Sequence, residues 1–126
     1  MRRLGINLLF CCLLFGCAAN GPSLGRISNV QISGSGVDSP ADQNLCVNFS
    51  LTPEQATEFI NRSIIVDHRS IHDHYDFAPC YVRGTGLLKA GIARWEIRAG
   101  GTGEITFGVS EAEVIIADPR EWSDLK

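Results

Sequence analysis

The chain has 126 residues, with 11 basic and 14 acidic side chains, a formal charge of −3 and 44% hydrophobic residues. That length supports one domain with a modest core and little beyond it. No basic face stands out and no aromatic residues interleave with Lys or Arg, which argues against nucleic acid as a partner.

Met1-Arg2-Arg3 is a basic opening, and Leu8 to Phe15 is a short apolar run. The run is too short to span a bilayer and has the anatomy of a secretion signal. It closes as Leu14-Phe15-Gly16-Cys17. Leu stands three places before the cysteine and a small residue directly before it, so the segment resembles the lipobox of bacterial lipoproteins. The resemblance implies a signal peptide over residues 1–16 and lipidation at Cys17, whose thiol takes a diacylglycerol as a thioether. Acyl chains of the palmitate type anchor firmly when several are buried, at ~0.8 kcal/mol per CH₂. Ala18 in place of Asp resembles the sorting pattern for the outer membrane, on its periplasmic side. An ordinary signal peptide cut near Ala18-Ala19, releasing a free periplasmic protein, is the alternative. On the lipobox reading Cys11 and Cys12 leave with the signal, and Cys46 and Cys80 remain to form a disulfide in an oxidising compartment. That bridge would close a loop of about 35 residues, for roughly 4 kcal/mol in the chain-entropy model. Without residues 1–16 the formal charge becomes −5, from nine basic and 14 acidic side chains.

Residues 17–25 read as a lipidated N-terminus and flexible tether, and residues 26–126 as a single globular domain. Arg26 to Ser33 suits a first strand ended by Gly34-Ser35-Gly36, and Asp38 to Asn44 a polar loop. Cys46 to Leu51 alternates as a strand with Val47, Phe49 and Leu51 on one face. Thr52-Pro53-Glu54-Gln55 is a helix start: Thr52 caps, Pro53 takes the first position and Gln55 completes a capping box. Ala56, Phe59, Ile60 and Ile64 then share a face, which predicts a helix from about Pro53 to about Val66. Strands follow at Cys80 to Leu88, around Ala93 to Ile97, and at Ile105, Phe107 and Val109, with a last short one at Val114 to Ile116. Lys89-Ala90-Gly91 and Gly100 to Gly103 are the turns between them. The expected class is α+β: one helix on an antiparallel meander of about four to six strands, with one disulfide.

Chemistry is concentrated in Asp67 to Asp76, which holds all three histidines of the chain. His68 and His72 share a face if the segment is helical, and His72 and His74 share one if it is extended. Either pair, with Asp73 or Asp76, offers ligands to Zn²⁺ or Cu²⁺. A solvated loop after a helix C-terminus is the plainer reading, with no cofactor. Tyr75, Asp76 and Phe77 form a candidate binding surface beside Pro79-Cys80, although the aromatics equally serve to cover the disulfide. Arg94, Glu96 and Arg98 make a charged stripe that suits solvent or an acidic partner. No Gly-x-Ser-x-Gly elbow is present and paired cysteines offer no thiolate, so the chain does not read as an enzyme.

Cys46, the Thr52-Pro53-Glu54-Gln55 helix start, His74-Tyr75-Asp76, Pro79-Cys80-Tyr81-Val82, Gly84, Trp95-Glu96-Ile97 and Gly100-Gly101 together resemble small proteobacterial lipoproteins and secreted proteins without an established activity. The resemblance implies the compartment and the fold and leaves the activity open. The expected function is a non-enzymatic binding module on the outer membrane. A periplasmic immunity or inhibitor protein and a His-rich metal-binding envelope protein are the alternatives. The expected partners are the membrane, through the lipid, and a protein of the envelope.

Overall fold

The computed structural model describes residues 24–74 and 78–120, and of residues 73 and 74 the backbone alone. It is a sheet-dominated fold with a few short helices and one disulfide. Six strands form one antiparallel sheet: β1 (Ser28–Val37), β2 (Ile64–Val66), β3 (Cys80–Leu88), β4 (Gly91–Arg98), β5 (Thr102–Phe107) and β6 (Ala112–Ala117). Their order across the sheet is β1-β3-β4-β5-β6-β2. The expected meander is its centre, β3 to β6, with an edge strand added on each side.

Period-two alternation builds the inner face. Val82 and Leu88 of β3, Ala93, Trp95 and Ile97 of β4, Ile105 of β5 and Ile116 of β6 are buried in one cluster. Gly84 and Gly86 occupy the intervening inward positions of β3. A Cβ at Gly84 would collide with the Gln31 carbonyl and the Trp95 ring, so glycine there makes room for the indole. The Trp95 Nε1–H donates to the Thr85 carbonyl at 2.8 Å, which satisfies the one polar atom of that buried ring.

Helix α1 (Pro53–Arg62) starts as its sequence predicts: Thr52 Oγ1 accepts from the Gln55 N–H, and the Gln55 side chain accepts from the Thr52 N–H. Its Ala56, Phe59 and Ile60 belong to the buried cluster. The helix stops at Arg62, four residues short of the expected end. Ser63 is extended, and its hydroxyl donates to the Phe59 carbonyl at 2.7 Å. The β-branched run Ile64-Ile65-Val66 then pairs with β6, Ile64 opposite Ala117 and Val66 opposite Ile115. Tertiary pairing overrides the helical spacing that placed Ile64 on the α1 face.

Residues 46–51 do not form a strand. Pro40–Cys46 is a 3-10 helix, Val47 is exposed, and Phe49 and Leu51 pack on the core from irregular backbone. The edge of β3 that they would need is occupied by β1, which runs on through Gly34-Ser35-Gly36 to Val37. The cysteines nevertheless pair: Cys46 and Cys80 form the disulfide, with Cα atoms 5.3 Å apart. It joins the end of the 3-10 helix to the first residue of β3, not two neighbouring strands. Val109, expected to face inward, lies in the β5–β6 turn and is fully exposed.

Behind β6 the chain is held by one acid. Asp118, 3% exposed, accepts from Arg62 Nε at 3.2 Å, from Arg120 Nη2 at 2.8 Å and from the Arg120 N–H at 2.9 Å. These donors hold its carboxyl at a pKa of about 2, below the ordinary aspartate value. The clip fixes the end of α1 to the end of β6.

Candidate functional site

Asp67 begins the second helix, α2 (His68–His74), separately from the first. Its Oδ1 accepts from the Ser70 N–H at 2.8 Å, an N-cap bond that lowers the Asp67 pKa. The cap turns the histidine segment helical, so His68, Ile71 and His72 share one side at spacings of three and four. All three line a cleft of about 590 Å³ over the outer face of the sheet. The opposite wall comprises Glu96 and Arg98 of β4, Thr102 and Glu104 of β5 and Ile115 of β6, with Asp38 at one end.

The register of the sheet fixes the electrostatics of that wall. The β4–β5 turn sets Glu96 directly opposite Glu104, and the next pairing sets Glu104 opposite Ile115. Two acids at directly opposed positions repel. Glu96 is relieved by Arg83 Nε at 2.8 Å and Arg98 Nε at 3.1 Å. Arg98 also donates to both Asp38 oxygens, at 2.8 and 3.0 Å, and to the Ala78 carbonyl at 3.0 Å. The Tyr81 ring lies under both guanidinium groups, 4.4 Å from Arg83 and 5.3 Å from Arg98. Arg83, Glu96, Arg98 and Asp38 thus form an alternating, self-neutralised chain. Arg94, the other member of the charged stripe, pairs with Glu111 at 2.7 Å. The stripe therefore saturates itself and presents no row of spare cations to an acidic partner.

Glu104 differs. Among the described residues it has no Arg or Lys partner and no side-chain hydrogen bond. It is exposed, and the cleft walls remove part of the water around its carboxyl. That desolvation raises its pKa above the ordinary glutamate value, and Glu113 and Glu96 push it in the same direction. Arg98 and His68 oppose the rise without cancelling it. Ile71 and Ile115 supply apolar walls on either side, and Thr102 a hydroxyl. Chemically this is a recess that favours one positive charge with an apolar neighbour.

A groove of about 570 Å³ along α1 is lined by Arg26, Val30, Pro53, Glu54, Thr57, Glu58, Asn61 and Arg62. Of its charges, Arg62 pairs with Glu58 at 3.3 Å and with Asp118, whereas Arg26 and Glu54 have no side-chain partner among the described residues. The α2 cleft is the better candidate because it sets two acids, Glu96 and Glu104, at directly opposed positions beside His68 and His72.

Of the residues singled out in the sequence, His68 and His72 lie in this cleft. The side chain of His74 and the candidate surface Tyr75, Asp76 and Phe77 lie outside the described residues, as does Cys17. Among the described residues no three His, Cys, Asp or Glu side chains gather as a metal site. Among them, too, no helix is long and apolar enough to cross a membrane. Glu104 and Asp38 were missed as site residues. The signal for Glu104 was available: a three-residue turn after Arg98 places Thr102 opposite it and hence Glu104 opposite Glu96. No family model, no curated protein and no solved structure matches the chain.

Proposed function

We propose that this chain is an outer-membrane-anchored lipoprotein facing the periplasm, and that its domain is a non-enzymatic, α+β binding module whose α2 cleft takes a cationic group. The lipobox-like Leu14-Phe15-Gly16-Cys17 supports the anchor. The observation that carries the binding reading is the carboxyl of Glu104, which lines the cleft with Ile71 and Ile115, stands directly opposite Glu96 and has no ion-pair partner among the described residues. An amine or guanidinium entering there supplies the missing counter-charge, relieves the Glu96–Glu104 repulsion and covers apolar wall.

The test is NMR titration of the full-length protein with agmatine and with cadaverine, a guanidinium and an amine of simple structure. Shifts should concentrate at Glu104, Thr102, Ile115 and His68, and Glu104→Gln should abolish them. Uniform or absent shifts in the wild type contradict the binding reading. The anchor is tested separately: radiolabelled palmitate should enter the wild type and not Cys17→Ser, and equal labelling of both rules it out. His68 and His72 beside Glu104 also motivate one metal experiment. Calorimetry with Zn²⁺ and Cu²⁺ that shows micromolar binding, lost in His68→Ala, would move the reading from an organic cation to a metal.

A further inference from the structure

We propose that the end of the sheet formed by the β3–β4 and β5–β6 turns rests on the lipid surface, and that three exposed apolar side chains there form the contact. This rests on the anchor reading above and adds an orientation to it. Leu87 is 42% exposed, Ile92 71% and Val109 fully so. Leu87 and Ile92 are cross-strand partners on the outer face beside the β3–β4 turn. Ala93 pairs with Phe107, which brings Ile92 level with the start of the β5–β6 turn that carries Val109. In a meander those two turns fall at the same end, and the β4–β5 turn at the other.

The chain enters the domain at that same end. Leu24 and Gly25 share a small recess with Leu88, Lys89, Ala90 and Phe107, and Ser28 pairs with Leu87. Only residues 18–23 separate Leu24 from Cys17. Fully extended, that link reaches about 25 Å at ~3.6 Å per residue. A lipid on Cys17 therefore keeps the point where the chain enters the domain, at this end, within about 25 Å of the membrane. The charges there suit a lipid surface: Lys89 sits at the turn, and the acid of the next turn, Glu111, is paired with Arg94. An apolar tip flanked by Lys89 and the Arg94–Glu111 pair, with Glu113 one pairing further from the turn, suits the boundary between acyl chains and head groups. The α2 cleft lies toward the opposite end, beside Arg98, Thr102 and the β4–β5 turn, so a docked domain keeps it accessible.

The experiment uses the mature full chain, carrying Val109→Trp or, as control at the opposite end, Ser35→Trp. It is reconstituted in phosphatidylethanolamine–phosphatidylglycerol vesicles with brominated acyl chains. Wild-type emission is subtracted, and palmitate incorporation at Cys17 is measured on the same preparation. The account expects label present, strong quenching of Val109→Trp and none of Ser35→Trp. Label present with neither variant quenched overturns the docking and leaves the anchor standing. Label absent with Val109→Trp still quenched by added vesicles overturns the anchor and supports the docking. Label absent with neither quenched overturns both. A concentration-dependent shift of Val109→Trp emission without vesicles assigns the patch to a second copy of the chain and also overturns the proposal.

Discussion

Asp118 and Glu104 are two acids of the same half of the sheet, and their environments move them in opposite directions. Asp118 is almost wholly buried, but three donors from Arg62 and Arg120 meet its oxygens, and its pKa falls to about 2. Glu104 keeps contact with solvent, faces two further acids and finds no donor among the described residues, and its pKa rises. Burial alone therefore does not decide the fate of a carboxylate in this fold; the built-in donors do. The braced region uses its acid to hold α1 to β6. The cleft region leaves its acid without an ion-pair partner among the described residues, opposite a second acid and open to a ligand from solvent.

The largest expected effect lies with the braces. Replacing both Cys46 and Cys80 with Ser should lower unfolding free energy by roughly 2–5 kcal/mol, read as a fall in the urea midpoint without a change at the cleft. Two free thiols per chain in the unreduced, denatured wild type would show that the bridge is not formed in the cell. Next, Asp118→Asn should cost about 2–3 kcal/mol, because Arg62 and Arg120 lose the negative charge and one of the two acceptor oxygens they share. Agmatine shifts at Glu104 should be unchanged in that variant. If they disappear, the two regions are not independent and the comparison fails.

Much of this arrangement was legible beforehand. Alternation from Ala93 to Ile97 marked one central strand, the run from Cys80 to Leu88 after Pro79 marked another, and Thr52-Pro53-Glu54-Gln55 marked the helix start, because each is a local signal. The edges were not legible. Ile64-Ile65-Val66 continues the helical spacing of α1, and only the open edge of β6 converts it to a strand. Cys46 to Leu51 alternates like a strand, but β1 already occupies the β3 edge. The cleft was half legible: His68 and His72 were marked by their chemistry, while Glu104 looked like any outward glutamate. Its character depends on α2 folding back over the sheet, a contact between segments about 35 residues apart that no local pattern records.

The pH dependence should separate the two acids. The folded pKa of Asp118 is depressed, so its contribution is present above the unfolded value of ~3.8. It is lost as pH falls toward about 2, on the order of 2 kcal/mol. For Glu104 the sign reverses. Its folded pKa is raised, so its contribution is present below the unfolded value of ~4.5 and is lost as pH rises through the folded value. Thermal melts from acid to neutral pH should show Asp118→Asn flattening the limb below ~3.8 and Glu104→Gln flattening the limb that begins above ~4.5. At neutral pH the smallest effect follows: Glu104→Gln should be neutral or stabilising by up to about 1 kcal/mol. A loss above that size would mean that the carboxylate is a brace after all.

The most direct measurement is the pKa of the Glu104 side chain, followed by NMR of its carboxyl carbon with and without agmatine. The account predicts a free value above that of an ordinary glutamate, a fall when agmatine binds, and binding that strengthens as pH rises through the free value. An ordinary or depressed value, or one that saturating agmatine leaves in place, would contradict the claim that this cleft holds an acid waiting for a cation.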